Sequence, residues 1–183
     1  MENLMLLQRQ FHKPIKVILA VVDILWAFLI ILMIAEGETE LILGEFGWIL
    51  IVILVFHLML LEARKPSASL KQMSPDVLKA INEQCLTGLR LGNGILCDND
   101  CLVFLGVTVT AVRLQDVEKL VLRTTAKGQI TVYGSDNSDY RVINGGKSMV
   151  KGIGAFREAD RDSFWKELCD AWKKYTDTEP IEI

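Results

Sequence analysis

Two ionisable side chains stand where a hydrocarbon solvent would penalise them. Asp23 lies within KVILAVVDILWAFLIILMIA, Lys16 to Ala35, and His57 lies within FGWILIVILVFHLMLL, Phe46 to Leu61. A carboxyl and an imidazole can bond to each other, anchor a partner helix or pass a proton, and groups of this kind are costly in lipid. Three arrangements stay open: Asp23 bonded to His57, Asp23 docked on a helix of another chain, or Asp23 protonated with no specific partner. A proton relay is disfavoured, because no further ionisable group extends a pathway.

The remaining candidates are weaker. Cys97 and Cys101 flank Asp98-Asn99-Asp100 as C-x3-C, with Cys85 and Cys169 elsewhere. Structural zinc sites favour C-x2-C pairs with further cysteine or histidine, and His12 and His57 are the only histidines. Four small buried thiols in a reducing compartment are the expectation, not a metal or redox site. NGGKS at 144–148 invites a phosphate loop, but Arg141 stands where that motif needs its first glycine, so a turn is expected. GSDNSD at 134–139 lacks the spacing and closing glutamate of a calcium loop and reads as a hairpin. No serine–histidine–acid set can form after residue 62, because that region has no histidine. Arg141, Lys147, Lys151 and Arg157 form the best local basic group, a candidate contact for anionic headgroups. No catalytic residue, metal or cofactor is expected.

Composition places these residues. The chain has 183 residues, of which 51% are hydrophobic and 23% charged, with a net charge of −3 and a mean hydropathy of +0.31. That balance argues against a nucleic-acid partner. It also requires the apolar residues to be concentrated, and they crowd into residues 15–62. From Ala63 onward there are 17 basic and 16 acidic residues, interspersed.

The apolar stretches predict a transmembrane hairpin with spans at about 15–35 and 44–62 and an external loop at 36–45. A cleaved signal peptide fits poorly, since no small-x-small site follows the first stretch and a second comes directly after. Arg9, Lys13 and Lys16 precede the hairpin, and Arg64, Lys65 and Lys71 follow it. The loop between carries Glu36, Glu38, Glu40 and Glu45 and no base. Both termini should therefore be cytoplasmic in a cell (inner) membrane. Trp48 suits the outer interface, and Trp26 suits packing. Helical rise puts Asp23 roughly 12 Å from the cytoplasmic end and His57 roughly 7–8 Å. The opposite lean of side chains on the two helices brings them toward one depth.

Residues 1–14 read as a cytoplasmic N-terminal arm and 63–75 as a linker. A connecting helix is expected over 76–88, launched by Ser74-Pro75-Asp76 and stopped by Gly88 and LGNG. From 89 to 183 the texture is β. GILC, CLVFLG, VTVTAVRL, VEKLVLRTT, QITVYG and YRVING, separated by turn residues, predict an antiparallel meander with one face wet. KSMVKGIGAF is ambiguous between helix and strand. An amphipathic helix at about 160–175, with Phe164, Leu168, Ala171 and Tyr175 on one face flanked by Trp165 and Trp172, should close the sheet.

The fold class is thus α+β, a two-helix transmembrane hairpin before an antiparallel sheet and a C-terminal helix. The segment NDCLVFLGVTVTAVRLQDVEKLVLR, with its Gln115-Asp116-Val117 turn, resembles bacterial two-span membrane proteins with a pleckstrin-homology-like (PH-like) cytosolic domain. The resemblance covers about residues 90–176. It implies a partly open barrel and a non-enzymatic role as a protein-interaction or regulatory module, with lipid-headgroup sensing as the alternative. Expected partners are the bilayer and either a protein or a second copy met through the hairpin.

Overall fold

The computed structural model describes residues 1–37, 44, 47–62, 67–106, 108–124, 129–143 and 155–183. The chain opens with helix α1 (Glu2–Phe11), whose Leu4 and Leu7 share a buried face. Helix α2 (Lys13–Glu36) follows after a single residue, His12, whose own backbone is helical. The break has a local cause. Pro14 has no N–H to give the turn before it, and its ring crowds that turn. Gly37, at φ 81°, ends α2 in the left-handed conformation glycine adopts freely.

α2 has no buried residue along its 24 positions, and apart from Asp23 and its two ends its surface is apolar all round. Among the described residues it is the one helix long and apolar enough to cross a membrane. Helix α3 (Gly47–Glu62) is equally apolar but has 16 residues. At 1.5 Å per residue it rises about 24 Å, less than a hydrocarbon core of about 30 Å. Residues 45 and 46 of the expected second span and most of the acidic loop fall outside the described residues.

Two short helices follow, α4 (Ala68–Gln72) and α5 (Pro75–Gln84). Ser67 and Ser74 cap them, accepting from the backbone N–H of Leu70 and Val77. Thus the segment expected to be a plain linker contains a helical turn, and Leu70 within it is fully buried. α5 ends earlier than its expected stop. The reason is that Leu89–Leu91 is already strand β1, and Gly92-Asn93 is the turn into β2 (Gly94–Cys97).

Strands β3 (Cys101–Leu105) and β4 (Val109–Arg113) continue the meander, and a 3-10 turn at Leu114–Asp116 leads to β5 (Val117–Arg123). After β6 (Gln129–Gly134) and β7 (Asp139–Ile143) come the two-residue strands β8 (Arg157–Glu158) and β9 (Ile181–Glu182). The order is β4-β3-β2-β1-β8 in one sheet and β7-β6-β5-β9 in the other. Both sheets are mixed rather than wholly antiparallel, because β8 joins β1 and β9 joins β5 in parallel. The two sheets do not close into one barrel.

Helix α6 (Arg161–Trp172) closes the space between the sheets, capped by Asp160, which accepts from the Ser163 N–H at 2.7 Å. Phe164, Leu168 and Trp172 enter the core beside Leu102, Phe104 and Val132. The Trp172 indole N–H donates to the Val117 carbonyl at 2.9 Å. Trp172 is therefore at the centre of the buried face, not on its flank. Tyr175, expected on that face, lies past the end of the helix and is largely exposed.

The expectation of one wet face fails for the first sheet. Leu96, Leu102, Phe104 and Val112 face the core with α6, while Ile95, Cys97, Cys101, Val103 and Ala111 face a second apolar layer. That layer is made by α1, α4 and α5 through Leu4, Leu7, Leu70, Ile81 and Cys85. A sheet covered on both faces needs continuous apolar strands, which is why CLVFL is one. β5 has a register shift between Val117 and Lys119, which lets both Val117 and Leu120 face inward.

Candidate functional site

Asp23 and His57 meet between the two apolar helices. His57 Nε2 lies 3.3 Å from Asp23 Oδ2, and His57 Nδ1 lies 2.9 Å from the Ile53 carbonyl. A carbonyl only accepts, so Nδ1 must be the donor. In a neutral ring Nε2 is then a bare acceptor facing a carboxyl oxygen. A hydrogen bond across this contact needs a hydrogen on one of its two atoms, Nε2 or Oδ2. Each side chain remains more than a third exposed. A group from another helix can therefore still reach the pair.

The second feature is how the apolar helices grip the domain. α1 lacks a capping side chain at Met1. Asn82 on α5 supplies one, its Oδ1 accepting from the Asn3 N–H at 2.9 Å and the Leu4 N–H at 3.3 Å. The Asn3 side-chain amide returns a bond to the Asn82 carbonyl at 2.8 Å. Gln8 and His12 are buried with Leu4 and Leu7. The residues ahead of α2 are thus part of the folded domain. α4 and α5, which follow α3, cover the same face of the same sheet.

Of the basic group, Arg141 and Arg157 are among the described residues. Arg141 on β7 pairs with Asp139 at 2.9 Å, and Arg157 on β8 with Asp98 at 3.4 Å. They stand on different sheets, each turned to its own acid. Lys147 and Lys151 lie outside the described residues, as do NGGKS and most of KSMVKGIGAF. GSDNSD forms a hairpin, with Asn137 at φ 61° and the Gly134 N–H donating to the Ser138 carbonyl.

The cysteines are buried and free. Cys97 and Cys101 are cross-strand neighbours around a turn in which Asp100 takes φ 55°. Burial pushes the Cys85 and Cys169 thiols up to about 12 and Cys101 up to about 11, and pushes Cys97 up as well. Such thiols stay protonated and are poor nucleophiles. Among the described residues no cluster could hold a metal ion.

Two further features had no clear sequence signal. A cleft of about 590 Å³ lies between the β2–β3 turn and α6. At its rim Asp100 gathers Lys174 at 2.9 Å and the Tyr175 hydroxyl at 2.8 Å. These bonds to the Asp100 carboxylate raise the pKa of both partners. The second feature is Arg90, which is buried on β1, over the Phe156 ring at 4.9 Å and 3.8 Å from Glu158. Burial lowers its pKa, partly offset by Glu158. The Asp100 and Arg90 contacts each join separate elements of the domain. No protein-family model matches the chain, and no curated protein matches it.

Proposed function

We propose that the chain is a two-span integral membrane protein that presents a PH-like domain as a protein-interaction and regulatory module, without catalysis of its own. The observation that carries this reading is the junction at His12. On one side α1 is built into the domain, and on the other α2 exposes only apolar surface apart from Asp23 and its ends. A domain so joined is held at the membrane surface in a set orientation. α3 serves as the second span in this reading, its shorter rise matched by local thinning of the bilayer.

The strand order supports the PH-like part. A four-strand meander, β1–β4, turns at Leu114–Asp116 into a three-strand meander, β5–β7, and α6 closes the gap. Placement in a cell membrane with both termini cytoplasmic rests on the basic residues at the two ends of the hairpin and the acidic, base-free loop between its spans. Asp23 and His57 hold the hairpin and offer a polar contact to a partner within the bilayer. Recognition of anionic headgroups is the weaker alternative, because Arg141 and Arg157 are each engaged by an acid.

The test is purification of tagged full-length protein from carbonate-washed membranes in mild detergent, comparing wild type with Asp23→Leu by mass spectrometry of co-purifying proteins. A stoichiometric partner in the wild type, reduced in the variant, is expected. Release of the chain by carbonate would overturn the membrane assignment. Absence of any partner, together with salt-sensitive flotation on anionic vesicles, would transfer the assignment to headgroup sensing.

A further inference from the structure

The stretches that enter and leave the two apolar helices share one sign of charge. Residues 3–22 hold Arg9, Lys13 and Lys16 and no acid, and residues 63–75 hold Arg64, Lys65 and Lys71 and no acid. From residue 76 onward the balance reverses, with 14 basic and 16 acidic residues.

The fold makes the first of these stretches a fixed surface. Arg9 lies in the last turn of α1, and Lys13 begins α2. The backbone is helical through His12. Its N–H donates to the Gln8 carbonyl and its carbonyl accepts from the Lys16 N–H, both at 3.0 Å. Arg9, Lys13 and Lys16 therefore have the i, i+4, i+7 spacing that shares one helix face. The Asn82 cap and the burial of Leu4 and Leu7 fix α1, and with it Arg9, to the domain. Lys71 on α4 follows Leu70, which is buried in the same layer as Leu4 and Leu7, and both α1 and α4 pack on β4. Arg9, Lys13 and Lys71 are exposed. Among the described residues no acid pairs with them or with Lys16, whereas Arg113, Arg141, Arg157 and Lys174 each meet one.

A basic face fits an anion, and its surroundings narrow the choice. Ile15, Val17 and Ile18 come within two turns of Lys13 and are 40%, 57% and 65% exposed. An acidic protein segment would meet the charges and leave these side chains bare. A ligand that covers both is an amphiphile with a negative head. We propose that Arg9, Lys13, Lys16 and Lys71 form a contact surface for anionic phospholipid headgroups, with the acyl chains along the first turns of α2. The proposal rests on the two-span reading above and gives that hairpin a lipid partner. Anionic surfaces attract basic residues next to a span, and here α1 holds them in place, so the bound heads set the height of the domain against the bilayer.

The experiment uses full-length protein reconstituted in phosphatidylcholine vesicles with a trace of spin-labelled phosphatidylglycerol or spin-labelled phosphatidylcholine. The motionally restricted fraction of each label gives the relative association of the two lipids with the protein. The wild type should prefer phosphatidylglycerol several-fold. Arg9→Gln/Lys13→Gln/Lys16→Gln/Lys71→Gln should bring the ratio close to one. Glutamine matches lysine and arginine in helix propensity, so this variant is expected to fold. Arg141→Gln/Arg157→Gln should leave the preference unchanged. Salt should abolish it in the wild type, since the screening length falls from about 30 Å at about 0.01 M to about 3 Å at about 1 M. A wild type without preference, a preference that survives the fourfold variant or high salt, or one lost in Arg141→Gln/Arg157→Gln overturns the proposal. Carbonate extraction separates the two failures. A chain that stays in the membrane without a lipid preference overturns this proposal alone, and a chain released by carbonate overturns the two-span reading with it.

Discussion

Asn82 caps a helix that is not its own. Its side-chain oxygen accepts from the Asn3 N–H at 2.9 Å, which fixes α1 to α5 across nearly eighty residues of sequence. Through that bond the start of α2 is mechanically continuous with the domain, and through α4 and α5 so is the end of α3. Any change in the relative placement of the two apolar helices at this side must be accommodated in one layer, around Leu4, Leu7, Leu70 and Ile81.

Removing the cap should loosen α1 without unfolding the sheets. Asn82→Ala leaves the first N–H groups of α1 unbonded, at a cost of about 1 kcal/mol. Leu7→Ala also opens a cavity, at about 2–5 kcal/mol. Amide hydrogen exchange should rise over residues 2–12 in both variants, more in the second. Unchanged exchange there would show that α1 does not depend on these contacts.

Two glycines differ in what confines them. A Cβ on Gly88 would meet the Leu96 carbonyl oxygen at 2.5 Å, which is backbone, whereas one on Gly94 would meet the Val142 methyls at 2.8 and 3.0 Å. Overpacking of this kind costs about 1–3 kcal/mol. Gly94→Ala should lower Tm and recover much of the loss with Val142→Ala. Gly88→Ala should lower Tm and recover nothing, since the obstructing atom belongs to a paired strand. Rescue of Gly88→Ala by Ile95→Ala would contradict this.

The thiols give a signed pH dependence. Their folded pKa values are raised by burial above the ordinary 9.0, to about 11 for Cys101 and about 12 for Cys85 and Cys169. The unfolded chain then binds fewer protons than the folded one above pH 9. Stability from this source is full below pH 9 and is lost as pH climbs toward 11–12. Tm should fall on that alkaline limb, and Cys85→Ala should lower the whole curve while flattening the limb. At pH 8 Ellman's reagent should find no rapidly reacting thiol in native protein and all four after unfolding.

Asp23 should tolerate an amide better than a hydrocarbon. With His57 Nδ1 committed to the Ile53 carbonyl, the amide introduced by Asp23→Asn can donate to Nε2, whereas the side chain introduced by Asp23→Leu cannot. Intramembrane bonds of this type are worth about 0.6 kcal/mol on average and at most about 1.7. A double-mutant cycle with His57→Leu, read by unfolding in mixed micelles, should give coupling of that size for Asp23→Leu and less for Asp23→Asn. Zero coupling for Asp23→Leu would mean that the pair adds nothing to the hairpin.

Much of the local architecture was legible because local rules govern it. Ser74-Pro75 starts a helix by capping and by proline's fixed φ, and VEKLVLR and QITVYG are strands bounded by turn residues. The ambiguity of KSMVKGIGAF and the role of Lys147 and Lys151 stay with residues that are not described. The alternating pattern of VTVTAV nonetheless misled, since it could not disclose a second layer beyond the sheet.

That layer comes from far along the chain. Leu4 and Leu7 have a helical spacing that is plain in the sequence, but nothing local says whether such a face meets lipid, solvent or a strand a hundred residues away. The same holds for the final IEI, too short to read as a strand until β5 offers it an edge. Apolar length and charge asymmetry follow from the sequence itself, because a helix rises by a constant amount per residue. Which surfaces cover one another was decided only in three dimensions. Burial is non-directional, and the partner of an apolar face is chosen by the geometry left after the local elements have formed.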